Sequence, residues 1–172
     1  PGALDELREL GMRSVPITVI GDRVINGFNP RQLSDALQLG IKTEARSPST
    51  TAPLLGRVLE AVHAAVLQMP EDKLDWKAPD RDRPMREFVY HIFMTAQTTF
   101  RGVESGEYQR WDDSPGLNYS SFKEIAKFGE SVIAEHKEWA AAQDLDALAK
   151  LGPRGSDERS AAERLDLITG HA

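Results

Sequence analysis

The chain has 172 residues and not one cysteine. Disulfides, thiolate metal sites and cysteine nucleophiles are therefore excluded for this chain. Long apolar runs are missing too: nothing approaches the roughly 18 residues that a spanning helix needs, and no stretch has the pattern of a secretory signal. Basic residues are in the minority, with 21 Lys plus Arg against 27 Asp plus Glu and a net charge of −6. That balance argues against a non-specific nucleic-acid binder or a basic membrane-surface protein. Neither G-x-S-x-G, H-E-x-x-H, a Walker A loop nor G-x-G-x-x-G occurs. What is present, 40% apolar and 28% charged residues, describes an acidic globular protein able to bury a core, expected in the cytoplasm.

The composition changes across Ile41–Pro53, where Ser, Thr and Pro follow one another without hydrophobic period; such a stretch reads as a linker. Residues 1–46 hold six acids and six bases, so the remaining 21 acids and 15 bases carry the whole net charge. The expected organisation is a small module over 1–40, a linker over 41–52 and a helical domain over 53–172.

In the first piece, Leu4, Leu7 and Leu10 recur at helical spacing, and Gly11 stands where a left-handed cap belongs. Two β-branched runs, 15–20 and 23–26, flank Gly21-Asp22, which suits a two-residue type II′ turn. Asn29 then predicts a helix cap, with Pro30 at the first helical position and Gln32 completing a capping box. Leu33, Ala36 and Leu37 form the expected buried stripe, and Gly40 the stop. About 40 residues with one hairpin give little core, and the chain opens on Pro1; the expectation is a fragment of a larger module.

Ser14-Val15-Pro16-Ile17-Thr18-Val19-Ile20, then Gly21-Asp22 and Asn26-Gly27-Phe28-Asn29-Pro30, resembles the C-terminal half of a glutaredoxin, a thioredoxin-like fold. The resemblance covers about a quarter of the chain. It implies that Pro16 matches the cis-proline beside the redox cysteines, which helps hold the backbone of a thiol substrate. The family's first strand, its Cys-x-x-Cys turn and its first helix have no counterpart here, so this half alone is expected to do no dithiol chemistry.

The second piece is helical in pattern. Leu55, Val58, Leu59, Val62, Val66 and Met69 form one stripe ended by Pro70; Met85, Phe88, Val89, Ile92, Ala96 and Val103 form another after Pro84. A long loop runs from Gly106 to Ser120. Ser121 with Glu124 caps a third helix carrying Phe122, Ile125, Gly129, Val132, His136 and Trp139; a short turn follows at 145–148, and Ser160 with Glu163 caps a fourth. Four amphipathic helices so connected predict a four-helix bundle, making the whole chain mainly α.

Bundles build sites between facing helices, so each histidine is weighed against ordinary packing. His91 lies about a third of a turn from the centre of its helix's apolar stripe, with Glu87 one turn earlier. It is either a rim histidine or a ligand oriented by that carboxylate. His171 follows Ile168 on the inner side of the last helix, as a terminal histidine or a ligand. His136 on an apolar face reads as a core histidine, and His63 as a solvated one. Asp112-Asp113 and Asp80-Arg81-Asp82-Arg83 read as solvated loop charge, Gly152-Pro153-Arg154-Gly155 as a plain turn, and Trp76, Trp111 and Trp139 as core or rim packing.

Met69–Trp76, Pro84–Ile92 and Ser160–His171 together resemble the DinB-like family of four-helix bundles, which includes metal-dependent thiol transferases. The resemblance spans nearly all of the second piece. It implies that His91 and His171 bind a divalent metal such as Zn²⁺ or Ni²⁺, with Glu87 supporting, and that His171 opens a His-x-x-x-His pair whose second member lies past Ala172. In such a site a low-molecular-weight thiol gives up its proton beside the metal and attacks an electrophile, which requires no protein cysteine. With two ligands of three, this chain is expected to bind metal weakly and to be inactive as it stands. The combined expectation is a thiol-linked redox or transfer protein of stress or detoxification chemistry, with a small thiol and an electrophile as partners, no nucleic acid and no membrane, and a possible homodimer. The alternative is a non-enzymatic bundle for dimerisation or docking, with redox function elsewhere in the full protein.

Overall fold

The computed structural model describes residues 2–12, 16–27, 30–40, 44–79, 81–153 and 159–172. They form two units, Pro1–Glu44 and Ala45–Ala172. The chain is mainly helical, with one small two-stranded antiparallel sheet.

The first unit is assembled from local signals. Helix α1 (Ala3–Glu9) ends as its sequence predicts, with Gly11 at φ +68. The Met12 amide donates to Leu7 O and the Gly11 amide to Arg8 O, the paired bonds of a Schellman cap. Strands β1 (Ile17–Ile20) and β2 (Arg23–Asn26) pair with Ile20 opposite Arg23, leaving Gly21-Asp22 as the two-residue loop. Gly21 has φ +59 and Asp22 does not share the left-handed region, which fits type II′ and rules out type I′.

Helix α2 (Pro30–Ala36) departs from expectation at its far end. It stops at Gln38, not at Gly40: Gln38 itself takes φ +53, while its amide donates to Asp35 O and that of Leu39 to Ser34 O. The predicted stripe shifts as well, because Leu37 is 51% exposed and Ser34 is buried. The expected cap at Asn29 and the turn residue Phe28 lie outside the described residues.

In the second unit, helix α3 runs from Pro48 to Val66, so residues 48–52, assigned above to the linker, open a helix. Ser47-Pro48 is the reason: an extended N-cap residue followed by Pro at the first helical position. Pro53 withdraws one backbone donor, but Thr51, Ala52 and Leu55 are fully buried around it and hold the helical path. A 3-10 turn at Glu71–Lys73 leads to α4 (Met85–Gly102). The first amides of α4 are satisfied by that connection: Met85 N–H donates to Trp76 O and Arg86 N–H to Leu74 O.

The apolar face of α4 is rotated from the predicted one. Phe88 is 46% exposed, whereas Val89, Phe93, Ala96 and Phe100 face inward. A second 3-10 turn, Ser114–Asn118, lies within the long loop. Helix α5 (Phe122–Ala142) is capped by Ser121, α6 (Leu145–Ala149) by Asp144, and α7 (Ala161–His171) by the expected Ser160–Glu163 box. Both α3 and α4 pack beside α5 and α7. Phe93 reaches the centre because Gly129 of α5 has no side chain: a Cβ there would sit 2.5 Å from the Phe93 ring. A smaller cluster of Val103, Leu148, Ala161 and Leu165 is joined to the main core through Trp139.

Candidate functional site

His91 sits in the second turn of α4 and His171 in the last turn of α7. Because α4 and α7 pack together, two histidines 80 positions apart bring their Nε2 atoms within 3.2 Å. On its other side, the His91 ring meets Asp113, with Nδ1 2.6 Å from Oδ1. A carboxylate only accepts, so Nδ1 carries the hydrogen, and in the neutral ring Nε2 is left as a lone pair facing His171. The second oxygen of Asp113 is taken by the guanidinium of Arg83.

Asp113 reaches His91 because the long loop is pinned to α4. Gly116 lies so close that a Cβ would stand 2.9 Å from the Cα of Glu87 and 3.0 Å from the Cβ of Tyr90; only glycine permits this approach. Arg86 donates to the carbonyls of Leu117 and Tyr119 and pairs with Asp75. Just before the turn, Asp112 accepts from the Ser114 amide at 3.0 Å, and its bonds to Ser114 hold its carboxyl below the usual carboxylate range. The same loop brings Trp111 over the site, stacked on His171 with centroids 5.7 Å apart and edge-on to His91 at 5.6 Å.

Partial burial holds His171 below the ordinary imidazole range, assisted by its neighbours His91 and Arg83. A neutral ring is the ligating form. With metal–nitrogen distances of about 2.0–2.1 Å, two imidazole nitrogens on one ion stand about 3.3 Å apart at a tetrahedral angle and about 2.9 Å at a right angle. The observed 3.2 Å falls between these, and Asp113 occupies the position from which a carboxylate commonly orients a ligating histidine. The distance is one that two nitrogens on a single ion would span, and equally that of an Nε2–H of His171 donating to the His91 lone pair. Among the described residues, no three His, Cys, Asp or Glu side chains converge as a metal group, so the protein contribution here is two nitrogens.

The other predicted residues lie elsewhere. The Glu87 carboxylate makes no hydrogen bond or ion pair among the described residues; its backbone packs on Gly116, and the carboxylate on His91 is that of Asp113. His136 is 2% exposed in the core against Phe100 and Trp139, with neither ring nitrogen hydrogen-bonded. Burial pushes its imidazole down. His63 is largely covered and lies 3.3 Å from Glu130, unlike the solvated histidine expected. Pro16, in the first unit, is exposed, and its carbonyl accepts from the Gly27 amide at 2.8 Å. Its peptide bond to Val15 falls outside the described residues, as do Asp80, Arg154 and Gly155 of the two loop segments named above.

Sequence reasoning missed Asp113, taking Asp112-Asp113 as solvated charge. The usable signal was the following Ser114-Pro115-Gly116: an Asx residue before Pro and Gly marks an ordered turn, which can hold a neighbouring carboxylate in place. No protein family, curated protein or solved structure matches the chain. No helix among the described residues is long and apolar enough to cross a membrane.

Proposed function

We propose that residues 45–172 form a DinB-like four-helix bundle whose His91–His171 pair holds a divalent metal for thiol transfer, joined to a glutaredoxin-like module in the first unit. One observation carries this reading: two imidazole Nε2 atoms 3.2 Å apart, one ring fixed from behind by a carboxylate. The pairwise packing of α3 and α4 with α5 and α7 supports the bundle. When bound, Zn²⁺ or Ni²⁺ supplies Lewis acidity that favours the thiolate of a small thiol at neutral pH. The protein's own residues prepare the place. Asp113 keeps the hydrogen at His91 Nδ1, Arg83 holds the Asp113 side chain in line, and partial burial lowers the basicity of His171. In this reading the chemistry takes a low-molecular-weight thiol and an electrophile, and Pro16 marks the thiol side of the redox module. The rival reading, a bundle that docks a partner or a second copy, draws on the exposed Trp76, Phe88 and Leu117.

Metal binding decides between them. Titration with Zn²⁺ or Ni²⁺, followed by elemental analysis of the washed protein, should give up to one ion per chain. His91→Ala and His171→Ala should each abolish retention, and Asp113→Asn should weaken it about 10- to 100-fold, the usual effect of losing an outer-shell partner. Retention unchanged in both histidine variants, or none in the parent chain, overturns the proposal.

A further inference from the structure

Among the described residues, the second unit exposes six large apolar side chains: Leu67, Trp76, Phe88, Trp111, Leu117 and Leu167. One of them touches the imidazole pair, and two others stand one helical turn from it in sequence. Trp111 touches both rings and is itself 40% exposed. Leu167 stands one turn before His171 on α7, hence on the same side of that helix. Phe88 stands one turn before His91 on α4, with its ring centroid 5.9 Å from the guanidinium carbon of Arg83, the group that pairs with Asp113. Scattered exposed apolar residues are ordinary on any surface. Apolar side chains gathered around a few convergent polar atoms are instead the usual make-up of a small-molecule site, where the polar atoms fix orientation and the apolar ones supply affinity.

We infer that the ligand taken at this pair carries an apolar group of aromatic size beside its bonding atom, and that Trp111 is the specificity-determining residue that receives it. The thiol class is then an aryl-alkyl thiol and not a small hydroxylated one. This assignment of the thiol rests on the metal reading above; the apolar subsite does not. The indole stacks on one imidazole and abuts the other, so a group bound beside the two Nε2 atoms has the indole as its neighbour. Aromatic stacking together with the area buried against Trp111 and Leu167 corresponds to a preference of about tenfold.

Two arms test this separately. In the Co²⁺-loaded protein, followed by its thiolate-to-cobalt absorption band, 2-phenylethanethiol should bind about tenfold more tightly than 2-mercaptoethanol. The ratio should fall below about threefold in Trp111→Ala and be largely kept in Trp111→Phe. A ratio unchanged by Trp111→Ala overturns the inference while leaving the metal reading intact. In the metal-free protein, 2-phenylethanol should shift the Trp111 indole N–H resonance saturably, and ethanol should not. Absence of a saturable shift overturns the subsite whatever the metal does, and failure of cobalt binding together with a saturable shift overturns the metal reading alone. Sedimentation supplies the remaining outcome: a dimer in the parent chain that Trp111→Ala dissociates would make the patch an interface between copies, not a ligand subsite.

Discussion

The two units show opposite ways of making structure. In Ala45–Ala172 the long helices share a core in which Leu55, Leu59, Phe93, Ile125 and Val132 are completely buried. In Pro1–Glu44, Ile25 is the one apolar side chain that is buried among those described, while Val19, Val24, Leu37 and Leu39 are each more than 40% exposed. Yet the small unit obeys local rules at least as closely, with a Schellman cap at Gly11 and a glycine-led turn at Gly21. Caps and turns are satisfied by a few neighbouring residues; a core needs distant ones. The difference teaches that good local grammar and tertiary stability are separate properties.

The comparison breaks most visibly under truncation of the core. Phe93→Ala removes a ring with no exposure, wedged against the gap left by Gly129. It should cost about 3–5 kcal/mol, the range for large aromatic-to-alanine changes in packed interiors. Val19→Ala and Val24→Ala, on the open face of the hairpin, should each stay within about 0.5 kcal/mol. Urea denaturation of all three variants measures this. Comparable losses at Phe93 and at the two valines would mean that the small unit is covered in solution and that the contrast is false.

The same division explains what the sequence made legible. Helix starts at Ser121 and Ser160, the hairpin turn and the α1 cap were all readable, because the deciding atoms lie within four residues of one another. The rotation of α4 was not. The predicted stripe held Phe88 and omitted Phe93, and the gap left by Gly129 on another helix is what Phe93 fills. Nor was the site fully readable. His91 and His171 stood out as residues, but their 3.2 Å approach depends on how α4 meets α7. Asp113 depends on an irregular loop whose path is set by the bare backbone of Gly116.

A medium-sized effect tests whether the larger unit's core carries a cost of its own. His136 is buried with both ring nitrogens unbonded, in space that Gly56 provides, since a Cβ there would come within 3.2 Å of the imidazole. Burial lowers its affinity for a proton below that of an ordinary imidazole, which titrates at about 6.5. Below that pH the unfolded chain therefore binds more protons than the folded one, and stability should fall as pH drops from about 6.5 toward the folded value. Above about 6.5 this contribution should be flat. His136→Leu should flatten the acid side and be neutral or stabilising by about 1 kcal/mol at neutral pH, because an unsatisfied polar group is replaced by an apolar one. Denaturation midpoints between pH 5 and 8 measure both. An unaltered acid slope in His136→Leu would show that other groups dominate it.

The smallest effect belongs to the small unit and sharpens the comparison from the other side. Gln38 closes α2 in the left-handed region at φ +53, where its Cβ crowds the following carbonyl at about 1–2 kcal/mol. Glycine pays no such penalty but has more backbone freedom to lose on folding. The net expectation for Gln38→Gly is stabilisation of about 0.5–1 kcal/mol, confined to the end of α2. Slower hydrogen exchange at the Gln38-position and Leu39 amides, which donate to Asp35 O and Ser34 O, should report it, while the urea midpoint of the second unit stays unchanged. A gain felt in both units would mean that they unfold together. Exchange left unchanged at these two amides would mean that the cap is open in solution, so that even local grammar in this unit depends on a core it lacks.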